Sequence, residues 1–273
     1  VMTQMALSGA DMIFATSFGY MEPVLKVAKE FPNVKFEHAT GYMTADNVST
    51  YSARFYEGRT VAGHIAGKMT KSNTIGYVAS YPIPEVVRGI NSAYLAAKKA
   101  NPNVEFKVIW IFTWYDPAKE ADAAKVHIAE GADVLAQHTD TPAMLQTAEE
   151  KGAYGFGQGS DMESFAPKAQ LFASVNHWDI SYIEHIESAL DGTWAAKAAG
   201  GNWDTWCSMK DNCLSVTELK NMPADVTAKV QSVADSISSG SFNVFQGPII
   251  TNEGTIVAGG ATLNDGDLWG MNY

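Results

Sequence analysis

Apolar positions along this chain fall into short runs separated by longer segments in which they recur every three or four residues. The most informative run is Val108-Ile109-Trp110-Ile111-Phe112, too short for a helix and rich in β-branched and aromatic side chains, which predicts a buried strand. It ends at Thr113-Trp114-Tyr115-Asp116-Pro117. Asp116 then precedes a proline and the alanine-rich segment 118–130, the pattern of an N-cap, a proline at the first helical position and an amphipathic helix. Gly131 closes that helix, and Asp133-Val134-Leu135-Ala136-Gln137 predicts a second buried strand. Strand, helix and strand in this order form a crossover that sets parallel strands side by side, with ligand-binding loops at their carboxyl ends. Trp114, Asp116 and the His138-Thr139-Asp140 loop therefore occupy the edge where an open α/β sheet holds its ligands.

The same alternation runs through most of the chain. Residues 1–9 read as the last turns of a helix, 12–16 as a strand, 23–31 as a helix and 34–39 as a strand. A helix is predicted from about Thr50 to Met69, with Ala62, Gly63, Ala66 and Gly67 small enough for close packing on a sheet. Strands follow at 74–79, 154–158 and 171–175, and helices at 85–100, 142–151, 180–190 and 224–237. From Gly200 the pattern degrades into a loop with Trp203, Trp206 and two cysteines, and the tail 242–273 suggests short strands and turns. The alternation predicts a parallel α/β protein of the doubly wound kind. Such a sheet does not ordinarily begin in the middle of a βα unit. The expectation is that an N-terminal strand, most of a helix and any signal peptide are missing from the sequence.

Composition narrows the partners. The 273 residues carry 19 Lys and Arg against 30 Asp and Glu, a formal charge of -11, which disfavours phosphate backbones and anionic membrane surfaces. Nucleic acid is set aside on that ground. No apolar run approaches the ~20 residues needed to cross a bilayer. Cys207 and Cys213 lack the second pair or nearby histidine of a zinc site and the tighter spacing of a redox motif. A disulfide closing a small loop is the preferred reading over two free thiols, and it implies an oxidising compartment.

Candidate chemistry is sparse. Gly157-Gln158-Gly159-Ser160-Asp161 sets its serine one position late for a nucleophile elbow, and neither a Walker loop nor a G-x-G-x-x-G turn is present. No metal or cofactor is expected, because no His, Cys, Asp and Glu set has ligand spacing. His38, His64, His127 and His185 read as ordinary core or surface histidines. What remains is a set of rings and acids at strand ends: Phe18, Tyr20, Tyr81, Trp114, Asp116, His138, Asp140, Asp161 and Trp178. Flat rings grip flat ligands by stacking, and a carboxylate in the ring plane accepts N–H groups. Each has a plainer reading as well: Asp116 as an N-cap, Asp161 as a turn residue, Trp178 as a core residue.

With these residues in place the chain resembles the basic membrane protein (BMP) family, the substrate-binding lipoproteins of ABC importers that include the purine-nucleoside receptors. The resemblance rests on GADMIFATSFGYMEP, FEHATGY, ARFYEGRTVAGHIAGKM, WYDPAKEADAA, GADV, GQGSDM, DGTW and GSFNVFQGPI, spread over nearly the whole chain. It implies a type I periplasmic-binding-protein fold, two doubly wound parallel-sheet lobes joined by a hinge and closing on a small ligand. On that scheme residues 1–41 and 176–217 form lobe 1 and residues 42–175 form lobe 2, with the C-terminal helix and tail, 218–273, unassigned. It further implies a periplasmic or outer-face location, a lipid anchor and a membrane permease as partner.

In the family's nucleoside receptors the purine lies between aromatic rings, and the ribose is held by an aspartate and a lysine. The stacking phenylalanine of the family's S-F-x-D turn falls on Trp114, and the acid that follows falls on Asp116. The ribose aspartate of G-V-D-S-D falls on Gly159, the second acid on Asp161, and the ribose lysine at about His177. With both sugar-binding groups absent, the resemblance implies a pocket trimmed for a free purine base, adenine first. The base would stack on Trp114 with Trp178 or Phe18 nearby and bond to Asp116 or Asp161. Other readings stay open: a nucleoside, a flavin or another heteroaromatic as ligand, or a nucleoside-hydrolysing enzyme built on the two aspartates. Against the enzyme stands the lack of any base or activated nucleophile beside those carboxylates.

Overall fold

A computed structural model describes residues 1–194, 205–251 and 254–273; Trp203 lies outside the described residues. The chain forms two compact units, Val1–Arg54 with His177–Cys213, and Phe55–Asn176 with Leu214–Tyr273.

In the smaller unit, α1 (Met2–Leu7), β1 (Met12–Ala15), α2 (Met21–Glu30), β2 (Lys35–Ala39) and β3 (Val48–Ala53) follow in order, and α7 (Trp178–Leu190) and β9 (Thr205–Cys207) return later. Among the described residues its sheet has the order β1-β2-β3-β9, with every pairing parallel. Ile13, Phe36 and Val48 of the sheet pack with Val24 and Ala28 of α2 to form its core. The sequence pattern assigned 50–53 to a helix and 42–54 to the other lobe; both expectations are corrected. Val48-Ser49-Thr50-Tyr51 is a fully buried strand held between β2 and β9. β-branched and aromatic side chains fit a pleated, buried surface, and that tertiary placement overrides the helical spacing which begins only at Phe55. The expected disulfide is present, joining Cys207 to Cys213 with Cα atoms 5.6 Å apart.

The larger unit contains α3 (Phe55–Met69), β4 (Thr74–Ala79), α4 (Pro84–Ala100), β5 (Glu105–Trp110), α5 (Pro117–Ala129), β6 (Val134–His138), α6 (Ala143–Lys151), β7 (Tyr154–Gly159) and β8 (Gln170–Asn176). β10 (Leu214–Val216), α8 (Ala224–Ser238), a β11–β12 hairpin (Ile249–Thr251, Gly254–Val257) and α9 (Asp265–Trp269) complete it, which gives the C-terminal tail to this unit. Its main sheet runs β10-β8-β7-β6-β4-β5, parallel except for β10. Helices α5 and α6 pack together, as do α3, α4 and α8. Gly63 and Gly67 of α3 face the backbone of Ala93 and Ala97, so the small residues admit a neighbouring helix, α4, rather than the sheet.

The run around Val108 also differs from expectation. β5 begins at Glu105, and none of its residues is buried, because it is the edge strand of the sheet. Ile111 and Phe112 continue past it, and Phe112, with φ of 53°, turns into solvent. The crossover from β5 to β6 does not make the two neighbours: β4 lies between them. In chain order the parallel strands are therefore arranged 2-1-3-4-5, with the topological switch between β4 and β6. Open α/β sheets bind ligands outside the carboxyl ends of the strands that flank such a switch.

Candidate ligand-binding site

Three loops meet at that switch point. The loop after β5 is zipped to the loop after β4 by bonds from the Ile111 and Phe112 N–H groups to the carbonyls of Ala79 and Ser80, both 2.9 Å. It is tied to the loop after β6 by a 2.9 Å bond from the Asp140 N–H to the Trp114 carbonyl. This stitching brings a row of rings together. Tyr81 and Trp114 have centroids 5.4 Å apart, and Trp114 and His138 are 6.0 Å apart. Trp114 and Tyr81 are half-buried, which leaves ring surface open at the strand ends.

Beneath the rings lies a charged layer. His138 is buried, with Nε2 3.3 Å from Oε1 of Glu85 at the start of α4. Burial holds its ring below the usual imidazole range, Glu85 opposes that shift, and Arg59 and Arg88 add to it. Arg59 donates from Nε to the Tyr77 hydroxyl at 3.3 Å, and Arg88 donates to the Leu268 carbonyl at 2.6 Å. Glu120 of α5 is fully buried; its carboxylate accepts from Thr141 Oγ1 at 2.7 Å, Thr141 N at 3.3 Å and Asp116 N at 3.2 Å. Burial raises its pKa and these bonds pull it back down. Asp140 is pushed up from 3.8 to about 6, by desolvation first and then by the negative charges of Glu120 and Glu85. Its side chain still reaches solvent, so screening keeps the effect of this shift on folding stability small.

The other acids expected here have tasks of their own. Asp116 caps α5, accepting from the Lys119 N–H at 3.1 Å, and its second oxygen lies 3.9 Å from Lys119 Nζ. Asp161 accepts from Glu163 N at 3.0 Å and from Gln170 Nε2 at 2.7 Å, closing the turn after β7. Among the described residues only Asp140 of these three carboxylates has no hydrogen-bond or ion-pair partner. Three buried polar atoms nearby also lack hydrogen-bond partners, Ser80 Oγ just past β4, His138 Nδ1 and Arg59 Nη2. Sequence reasoning passed over Ser80, Glu85 and Glu120. An acid at the first turn of each helix that follows a strand was the available signal.

Phe18, Tyr20 and Trp178 belong to the smaller unit. Phe18 lies on a single 3₁₀ turn, 6.3 Å from Tyr42, and Tyr20 beside it is exposed. Trp178 opens α7 and meets Tyr51 edge-on at 5.4 Å. Phe14 and Tyr182 join the same cluster, with ring centroids 4.5 Å apart and the Tyr51 and Tyr182 hydroxyls 3.2 Å apart. Below it Glu37 is fully buried, accepting from the Trp194 indole at 2.5 Å and lying 2.6 Å from His185 Nδ1. His185, read from sequence as an ordinary histidine, is one half of a buried pair with Glu37.

Comparison with known proteins agrees with this architecture. Residues 1–244 match the Bmp family, described as ABC transporter substrate-binding protein PnrA-like. A purine-binding protein of Brucella abortus (strain 2308) is 48% identical over 271 residues, covering 99% of this chain and 76% of that protein. A Haloferax volcanii protein named as a putative ABC transporter glucose-binding protein is 38% identical over 253 residues, covering 93% of this chain and 63% of that one. Among solved structures, an ABC transporter solute-binding protein from Aeropyrum pernix K1 superposes with a TM-score of 0.71 at 19% identity, over 88% of this chain and 78% of its own. That likeness shows a shared fold of the periplasmic-binding-protein kind, with α/β units built on parallel sheets. Both sequence relatives are named as binding proteins, and substrate-binding proteins of ABC importers work outside the cytoplasm. Among the described residues no helix is long and apolar enough to cross a membrane. The chain belongs to the basic membrane protein family of ABC transporter substrate-binding proteins.

Proposed function

We propose that this protein captures a purine base, adenine foremost, on the carboxyl edge of the larger unit's sheet and delivers it to a membrane permease. The observation that carries the reading is the pairing of an open indole, Trp114, with the partnerless carboxylate of Asp140 at the topological switch point. A stacked heterocycle with N–H groups in its plane satisfies both. The 48% identity to a purine-binding protein supports the same ligand class. Gly159 stands where the nucleoside receptors carry a ribose acid, and about His177 where they carry a ribose lysine. A base therefore fits the residue set better than a nucleoside. Glu85, Glu120 and Asp140 leave the site with an excess of negative charge, which disfavours a phosphate-bearing ligand. Anchoring by lipid at the outer face of the membrane belongs to the same proposal, and the mass of the native protein tests it.

Calorimetric titration with adenine, guanine, adenosine, adenosine monophosphate and glucose tests the ligand. Adenine is expected to bind most tightly, adenosine more weakly, and the monophosphate and glucose not at all. Absence of heat with every purine base overturns the reading; binding of glucose alone replaces it with a sugar carrier.

A further inference from the structure

The acid facing the ligand meets a constraint set by purine chemistry. On neutral adenine every edge that could engage a carboxyl group presents a donor beside an acceptor: N6–H beside N1, N6–H beside N7, and N9–H beside N3. An ionised carboxylate is an acceptor on both oxygens, so against any of these edges one oxygen bonds while the other faces a ring-nitrogen lone pair. A protonated carboxyl group offers one O–H and one carbonyl oxygen and matches the edge at both points. Guanine is the reverse case, because its N1–H and N2–H groups lie side by side and suit a carboxylate.

The larger unit gathers negative charge around Asp140 and so favours its protonation. Glu120 faces it from α5 and Glu85 from α4, and both bring negative charge. Of the nearby cations, Arg59 of α3 donates from Nε to the Tyr77 hydroxyl and keeps Nη2 buried without a hydrogen-bond partner, Arg88 of α4 donates to the Leu268 carbonyl, and Lys119 of α5 lies beside Asp116. His138 on β6 pairs with Glu85. Glu120 is held by Thr141 and the Asp116 N–H, all neutral donors that bring no compensating positive charge. The Asp140 backbone bond to Trp114 fixes the acid's main chain beside the indole. Resting on the purine-base reading above, we propose that Asp140 binds adenine as the neutral carboxylic acid and guanine as the carboxylate, so that one proton selects between 6-amino and 6-oxo purines. The rise of the Asp140 pKa to about 6 supports this, since both forms are then accessible near neutrality.

The test is calorimetry on the full chain with adenine and with guanine from about pH 6 to about pH 8.5, in buffers of differing ionisation enthalpy, for the native protein and for Asp140→Asn. For the native protein, adenine affinity should fall roughly tenfold per pH unit above about pH 7, with uptake approaching one proton per adenine bound. Guanine should not lose affinity over that range. A side-chain amide carries a permanent donor and a permanent acceptor, so Asp140→Asn should bind adenine with a flat pH profile and bind guanine more weakly than the native protein does. Adenine binding with no proton uptake, or an Asp140→Asn variant that keeps the native pH profile, overturns the proposal. Failure of every purine base at every pH removes the functional reading itself, and this inference with it.

Discussion

Asp140 and Trp114 are joined by one backbone bond, 2.9 Å from the N–H of the first to the carbonyl oxygen of the second. They sit on loops after β6 and β5, strands that do not touch because β4 separates them. The bond bridges that gap and sets an aromatic face and an acid side by side, a juxtaposition that neither loop produces alone.

Removing the indole should cost binding and little else. Trp114 is half-buried, and its ring neighbours, Tyr81 and His138, remain in place without it. Stacking of a base on an aromatic side chain is worth about 1–3 kcal/mol, so Trp114→Ala should weaken adenine by roughly 5- to 150-fold. The melting temperature should stay nearly unchanged, and Trp114→Phe should recover most of the affinity. Titration with melting curves on both variants measures this; unchanged adenine binding by the alanine variant would remove Trp114 from the site.

Glu120 organises the acid loop from below. Glu120→Ala leaves Thr141 Oγ1 and the N–H groups of Thr141 and Asp116 without their acceptor, at a cost of about 1–3 kcal/mol for each donor left buried and unmet. It also removes a negative charge beside Asp140, whose pKa should then fall toward 3.8. Urea unfolding and an NMR titration of the Asp140 carboxyl measure the two effects. A stable variant with an unshifted carboxyl would show that Glu120 does neither.

In the smaller unit the vulnerable point is Glu37. It is fully buried between the Trp194 indole and His185, and removing its carboxylate takes an acceptor from buried groups, at a cost of about 1–3 kcal/mol for each donor left unmet. Glu37→Ala should lower the urea midpoint substantially while leaving the residues of the larger unit's site untouched. A midpoint close to that of the native protein would mean that the pair is not held in solution.

Stability should fall on mild acidification. Burial lowers the pKa values of His38, His127 and His138, so each is neutral in the fold at pH values where the unfolded chain already takes up a proton. Below 6.5 the unfolded state therefore binds more protons, and stability rises with pH through that window and is lost as pH drops. Asp140, between 3.8 and about 6, and Glu120, whose pKa burial also raises, run the other way, because there the folded state holds the proton. Asp140 reaches solvent, and the bonds that Glu120 accepts pull its pKa back down, so the two carboxyls only partly offset the loss from three buried rings. Urea midpoints at about pH 7.5 and about pH 5 should differ in that direction, and equal midpoints would show that the rings are protonated in the fold.

The order of strands and helices was legible in the sequence because each buries one face, and the burial leaves a period in the apolar residues. Trp114 and the His138–Asp140 loop were legible for the same reason, since they follow predicted strands, and the parallel fold puts every such loop at one edge. The disulfide followed from two cysteines with no other chemistry near them. Tertiary structure decided what periodicity does not encode. A strand's neighbours depend on pairing across the sheet: hence β3, whose residues fit a helix until β2 and β9 enclose them, and β5, whose apolar run looked central and lies at the edge. Which acid is left without a partner at the strand ends was decided the same way. Asp116, Asp140 and Asp161 are equivalent in sequence, but local backbone donors and Gln170 engage the first and third, while the second is left beside Glu120 and Glu85 with no partner of its own.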